Sequence, residues 1–243
     1  MFIRFYHQNF SIDHYPELPS TNSLALELTK SYQINHNHII LADEQSAGKG
    51  RMARNWVSPI GNLYFSLALK PQKLINKISE LSFLASVAMG FALAEFSKNN
   101  KKINYKWPND ILINGKKVVG ILLEKDDNCV VLGVGVNINS HPDNTNYPAC
   151  HLNEQGFQIV DKIDLLKKFL DHFSILYQKW LDFGFTPIRN LWLEKAFNLN
   201  QEIAVNLPNQ SLRGVFKNLD EHGNLVLEVN NQIQLIASGE IFS

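Results

Sequence analysis

Short, largely apolar runs alternate along this chain with longer segments whose apolar residues recur every three or four positions. Residues 39–42, 63–69 and 129–139 are of the first kind and predict buried strands. Residues 78–96 place Ile78, Leu81, Leu84, Ala85, Ala88, Phe91, Ala92 and Ala94 at helical spacing, which predicts the long core helix, ended by Asn99, Asn100, Lys101 and Lys102. Residues 164–183 do the same through Leu165, Leu166, Phe169, Phe173, Leu176, Tyr177, Trp180 and Leu181. A further helix opens after Ser20-Thr21-Asn22, where Leu24 and Leu28 are spaced i, i+4 behind a polar cap. Thr186-Pro187 predicts a cap and a first-turn proline for a short helix ending near Ala196. Asn114-Gly115, between 111–113 and 116–124, is the strongest hairpin signal in the chain. Pro108 cannot donate to a sheet ladder, so Lys106 and Trp107 are expected at the end of a strand. Residues 1–19, broken by Pro16 and Pro19, are read as one strand and a turn, and 140–160 as a loop. Beyond Asn198 four short strands are expected, at 202–207, 211–218, 225–229 and 233–237. The chain thus divides into a main domain over 1–198 and a small all-β module over 199–243, too small to be securely stable alone.

Composition narrows the function classes. With 243 residues, 45% of them hydrophobic, the chain can bury a sizeable core. Acidic and basic residues balance at 23 each, for a net charge of zero. Bulk attraction to nucleic acid or to an anionic membrane is therefore not expected, and any anion must be held locally. The two cysteines, Cys129 and Cys150, belong to no close Cys/His ligand cluster, so no structural zinc is expected and a reducing compartment is. No signal core and no long apolar span is found; the expectation is a soluble cytoplasmic protein. The eight histidines show no clustered pattern and receive no role.

The chemistry gathers at strand ends and one helix start. The segment Gly48-Lys49-Gly50-Arg51-Met52-Ala53-Arg54-Asn55-Trp56 combines two glycines with three cations. Its glycines would leave backbone N–H groups free to approach an anion, although a solvated basic turn reads equally well. Ser20, Thr21 and Asn22 exceed what one helix cap requires and read either as an over-supplied cap or as spare side chains for a polar ligand; Gln45 follows one strand, and Lys106 ends another. Gly133 and Gly135 interrupt a strand and mark a bulge, the close approach of another group or, equally, simple packing. No Ser-His-Asp spacing, no H-E-x-x-H and no Walker loop is found. The available catalysis is electrostatic: fixed cations placed where negative charge builds on phosphorus.

Taken together, the 48–56 segment, Lys106-Trp107-Pro108-Asn109-Asp110, Val119-Gly120-Ile121-Leu122-Leu123-Glu124 and Gly133-Val134-Gly135-Val136-Asn137-Ile138-Asn139 resemble the biotin protein ligase signatures, in the family's order and near its spacing. Ser20-Thr21-Asn22 and Ser238-Gly239-Glu240-Ile241 resemble its opening and closing stretches, so the likeness spans nearly the whole chain. The resemblance implies an α+β fold: a mixed central β-sheet flanked by helices, with a small C-terminal barrel-like β domain. It implies that biotin attacks the α-phosphorus of ATP, with Mg2+ on the phosphates. The resulting biotinyl-adenylate would then acylate a lysine of a biotin carboxyl carrier protein. Arg51 and Lys106 take the catalytic positions. Ser20, Thr21, Asn22, Gln45, Gly48, Lys49, Gly120 and Gly133, with Arg51 and Lys106, fall at biotin-binding positions. Arg54, Trp56 and Asn137 fall at nucleotide-binding ones, with a plain core tryptophan as the other reading of Trp56. Magnesium ligands are not assigned. Departures are Lys49 for the usual arginine, Met52 where a basic residue is common, and Ala53 for a common glycine. Ser20 comes too early for the winged helix that some members carry, so no DNA binding is expected, and no membrane binding; a homodimer is left open. The alternatives are a lipoate ligase-like enzyme, a non-catalytic biotin- or nucleotide-binding module and, least, an RNA-binding protein.

Overall fold

The computed structural model describes residues 1–34, 36–70, 78–97, 101–125, 129–143, 145, 147–157, 161–207 and 210–242. Strands β1 (Ile3–His7) and β2 (Phe10–Leu18) form a hairpin that leads into helix α1 (Thr21–Lys30). Strands β3 (His38–Gln45) and β4 (Leu63–Leu69) follow, and then helix α2 (Glu80–Glu95). Next come β5 (Ile103–Lys106), β6 (Asp110–Ile113), β7 (Lys116–Lys125) and β8 (Val130–Val136), followed by α3 (Lys162–Phe183) and α4 (Thr186–Leu193). These strands make one eight-stranded sheet in the order β1-β2-β3-β4-β8-β7-β6-β5. Only β2 and β3 run parallel, and α1 supplies the crossover that a parallel pair requires.

The period-two alternation of the central strands sorts their side chains between two faces. Ile39, Leu41, Phe65 and Leu67 point toward α2, α3 and α4, within the large core cluster. Ile40, Ala68 and Val131 point the other way and pack with Ala25 of α1. Helix α2 is buried along nearly its whole length, including Glu80. That carboxylate accepts from the indole N–H of Trp180 on α3 at 2.6 Å, so it is not left unpaired.

The C-terminal strands β9 (Glu202–Asn206), β10 (Ser211–Leu219), β11 (Leu225–Val229), β12 (Gln232–Ile236) and β13 (Glu240–Phe242) form a second, antiparallel sheet in the order β12-β11-β10-β9-β13. It does not have a core of its own: Ile203, Val205, Phe216, Leu219 and Leu227 join the main cluster. Trp107 donates its indole N–H to the carbonyl of Gly223 at 3.0 Å. Gly223 sits at φ 81°, and a Cβ there would lie 2.6 Å from the ring of Phe83 on α2. Glycine is thus required both by backbone and by space.

Several local expectations are corrected. Residues 1–19 form two strands, not one. Pro16 is accommodated because β1 pairs with β2 only as far as His14, so the β1-side edge at Pro16 needs no donor. Thr186 is the first residue of α4 rather than its cap; Phe185 precedes it with no side-chain cap hydrogen bond. The helix ends at Leu193, and Ala196 instead bridges to Tyr105. On α3, Leu181 is exposed, and Leu170 takes a buried place. β3 continues through Gln45, and β8 stops at Val136. The last strand, β13, lies where the sequence showed only the Glu240-Ile241 stretch. Asn99 and Asn100, read as helix terminators, lie outside the described residues.

Candidate active site

One cavity of about 400 Å³ opens where the ends of β3 and β5 and the middle of β7 and β8 meet the 48–56 loop and the start of β13. At one end lies a buried polar network. Ser20 caps α1 by accepting from the Ser23 N–H, which leaves Thr21 and Asn22 free for other work. Thr21 donates to Gln45 Oε1 from its backbone N–H at 2.8 Å and from its hydroxyl at 3.1 Å. Gln45 Nε2 donates to Ser58 Oγ at 2.9 Å. Ser66, buried within β4, donates to Thr21 Oγ1 at 2.8 Å and also contacts Asn22 Oδ1. Asn22 Nδ2 donates to Glu124 at 2.9 Å. Ser66 and Glu124 were missed from sequence. A serine inside an otherwise apolar run was the one signal for the first.

The strand glycines act by removing side chains. β4–β8 and β7–β8 pair without a register shift, so neither Gly133 nor Gly135 marks a bulge. A Cβ on Gly133 would lie 2.1 Å from Asn22 Oδ1. Gly120 and Gly135 are direct cross-strand partners. Added Cβ atoms there would stand 2.6 Å and 2.4 Å from the indole of Trp56. The pair forms a slot in which that ring lies across β7 and β8. Trp56 is therefore a half-buried wall of the cavity and not a core tryptophan; its Nε1 is buried with no hydrogen-bond partner among the described residues.

The cationic loop is arranged differently from its sequence-level reading. The Gly50 N–H is not free for an anion, because it donates to the carbonyl of Arg54 at 2.7 Å. Gly48 is buried and does not line the cavity; the Trp56 N–H donates to its carbonyl at 2.9 Å. A Cβ on Gly48 would meet the Trp56 carbonyl at 2.3 Å, so glycine there serves the closure of the loop. Met52 and Ala53 hold φ of 55° and 57°. An L-residue in that left-handed region costs about 1–2 kcal/mol, which gives physical meaning to the alanine found where a glycine is common.

The loop's contribution to the cavity is its side chains. Arg51 reaches Asn109 Oδ1 at 3.3 Å. Burial lowers its pKa, opposed by Asp110 and Glu240. Arg54 pairs with Glu240 of β13. Lys49 is exposed at the rim. Opposite them, Lys106 is 8% exposed, with Nζ 3.6 Å from the ring centroid of Tyr147. Burial pulls its pKa down to about 8, with Asp110 and Glu240 acting in the opposite sense. The Tyr147 hydroxyl donates to Glu240 at 3.2 Å, and burial and that carboxylate push the phenol up. Lys117, 2.7 Å from Asp110, adds a further cation and lies over the Trp56 ring. Asn137 lines the cavity but donates its Nδ2 to the Cys150 carbonyl at 3.1 Å, so part of its amide holds the neighbouring chain.

Every residue placed at a catalytic, biotin-binding or nucleotide-binding position except Gly48 therefore lines this one cavity. Lys117, Tyr147 and Glu240 join them without having been assigned a role. The arrangement is a cluster of cations, with Lys106 buried, Arg51 and Lys117 half-buried and Lys49 and Arg54 exposed, beside a polar, partly apolar-walled recess. It can hold an acid at one end and phosphate at the other.

Comparison with known proteins agrees in sequence and in fold. Residues 15–138 match the family described as biotin/lipoate A/B protein ligase, and residues 199–243 match the biotin protein ligase C terminal domain. A biotin–[acetyl-CoA-carboxylase] ligase of Paracoccus denitrificans is 35% identical over 238 residues, covering 92% of this chain and 96% of the relative. The bifunctional ligase/repressor BirA of Bacillus subtilis is 35% identical over 234 residues, covering 92% of this chain and 71% of its own. The structure of a biotin protein ligase from Aquifex aeolicus in complex with biotin and ATP superposes with a TM-score of 0.84 at 27% identity, covering 95% of this chain and 97% of that one.

Proposed function

The chain belongs to the biotin/lipoate A/B protein ligase family, and from that premise we propose how its cavity does the family's work. It is an ATP-dependent ligase that joins biotin to protein. The observation that carries the site reading is the convergence of Arg51, Lys106 and Lys117, from three separate segments, on one cavity beside the Thr21/Asn22/Gln45/Ser66 network.

Biotin's ureido group offers N–H donors and a carbonyl acceptor, and needs both kinds of partner. The network at the α1 end supplies them. Phe65, Ile121 and Val134 give the apolar wall that suits a thioether ring. The carboxylate then lies toward Arg51 and Lys106. Two anionic reactants repel, and these cations offset that repulsion while stabilising charge on the α-phosphate. Arginine does so with two parallel donors, lysine as a point charge. A contact made mainly in the transition state contributes about 3–4 kcal/mol. The face of Tyr147 steadies the Lys106 cation without neutralising it. ATP enters as its magnesium complex, its adenine end toward Trp56 and Asn137 and its phosphates toward Arg54 and Lys49. Asp110, a carboxylate lining the cavity, would add an oxygen to a cation already carried on phosphates. The 48–56 loop, closed over the product, excludes the water that would hydrolyse an adenylate.

The acceptor is a lysine on a biotin carboxyl carrier domain. The enzyme acts in the cytoplasm without binding DNA, in keeping with a net charge of zero. The test is pyrophosphate release on mixing with ATP and either biotin or lipoate. Release with biotin alone is expected. Release with lipoate alone would reverse the substrate, and release with neither would make this a non-catalytic module.

A further inference from the structure

His141 and His151 are ten residues apart in a segment without periodicity, yet their Nδ1 atoms lie 2.9 Å apart. Glu154 completes the group. Its two carboxylate oxygens stand 3.9 Å from His141 Nδ1 and 3.4 Å from His151 Nδ1. Among the described residues this is the one set of three such side chains whose ligand atoms fall within 4.8 Å of one another.

The backbone beneath the set is tied down. Asn62 Oδ1 accepts from the N–H groups of Ile138, Asn139 and Ser140 at 2.8, 2.9 and 3.3 Å. The Leu152 N–H donates to the Asn137 carbonyl, and the Asn153 N–H to that of Ile138. Cys150 is held from both sides, by Asn137 Nδ2 and by the Lys117 carbonyl. The two histidines are thus brought together by the strand-end hydrogen bonds and not by one another.

From this geometry we propose that His141, His151 and Glu154 form a binding site for a divalent transition metal of the zinc, nickel or copper class. Two imidazoles and a carboxylate are the donor set such ions take, and the site is too rich in nitrogen for magnesium or calcium. Metal–nitrogen bonds of about 2.0–2.1 Å place cis ligands roughly 2.9 Å apart at a right angle and about 3.3 Å apart in a tetrahedron. The separations of 2.9 and 3.4 Å match those spacings, and the 3.9 Å between His141 and Glu154 is wider by about half an ångström, which a turn of the exposed Glu154 side chain would close. Each side chain keeps between a fifth and a third of its surface exposed, which leaves an open coordination position and a path of entry. The ion would fasten the two ends of the segment that brings Tyr147 to Lys106. It lies outside the set of cavity-lining residues and is separate from the magnesium carried by ATP.

The test is calorimetric titration of the metal-stripped full chain with zinc, and with cobalt as a visible-absorption probe of geometry. Wild type should bind one ion, with cobalt giving a ligand-field spectrum of histidine-bound metal. Removing a partner one shell away from a metal already costs about 10–100-fold in affinity. Glu154→Gln should therefore lose about tenfold or more, and His141→Gln/His151→Gln should abolish binding with circular dichroism unchanged. Failure of the wild type to bind at millimolar zinc would overturn the proposal. So would unchanged one-to-one binding in the double variant. In either case the 2.9 Å contact is a hydrogen bond between the two rings.

Discussion

The charge on Lys106 should set the alkaline limit of adenylate formation. Burial holds this lysine at about 8 in the free enzyme, against an ordinary value of 10.5. A lysine is charged below its pKa and neutral above it. At pH 7 about nine-tenths of the enzyme carries the cation, and at pH 9 about one-tenth does. If only the charged form accepts the two anions, kcat/KM for biotinyl-adenylate formation falls roughly tenfold between pH 7 and pH 9, because kcat/KM reports the free enzyme. Bound anions raise the pKa, so kcat should fall less. Asp110 opposes the shift, and Asp110→Asn should move the step to lower pH. Lys106→Ala should cost about 3–4 kcal/mol at pH 7, or roughly 10²–10³-fold, and lose the step altogether. The assay is direct chromatography of biotinyl-adenylate at fixed excess magnesium, without coupling enzymes. A kcat/KM flat from pH 7 to 9, or a step that survives in Lys106→Ala, would refute the reasoning.

Other outcomes follow from the same geometry. Gln45→Leu removes the acceptor of the Thr21 N–H and the donor to Ser58. Leaving such buried groups unpaired costs about 1–3 kcal/mol, so calorimetry should show biotin affinity reduced by about 5–150-fold; unchanged affinity would place biotin elsewhere. Gly135→Ala should force the Trp56 indole off its slot and weaken ATP binding. The double variant Gly135→Ala/Trp56→Ala should then bind ATP no worse than Trp56→Ala alone, and additive losses would show that the slot does not act through the ring. Arg51→Gly should release free biotinyl-adenylate into solution, measured by filtration of the reaction; full retention would mean the loop does not close over the product.

Much of the fold was legible because one physical signal dominated locally. Asn114-Gly115 takes φ of 51° and 79°, the left-handed pair that a two-residue hairpin turn requires. The period of α2 and α3 follows from cores that lie on one side or all around. Where two signals competed, reading failed. Pro16 argued against a strand, and only the free edge beside it made one tolerable. Thr186 had the chemistry of a cap, but the helix begins with it rather than after it.

The site divides the same way. Arg51 and Lys106 were legible because charge stands out in glycine-rich or apolar surroundings. Ser66 was hidden in a run whose strand pattern was complete without it. Lys117 sat in an ordinary hairpin, and Tyr147 in a loop with no period to read. Glu240 reaches Arg54 and Tyr147 only because the second sheet docks on the first. The pairing of His141 with His151 likewise depends on hydrogen bonds between the end of β8 and residues 150–153, a contact no spacing rule encodes.

The most direct measurement is biotin transfer to a purified biotin carboxyl carrier domain, with ATP and magnesium, by the wild type and by Lys106→Ala. The expected result is one biotin per carrier, on its acceptor lysine, from the wild type, and a rate lower by roughly 10²–10³ from the folded variant. Equal labelling by both, or labelling by neither, would contradict the assignment of this cavity as the place where biotin is joined to AMP.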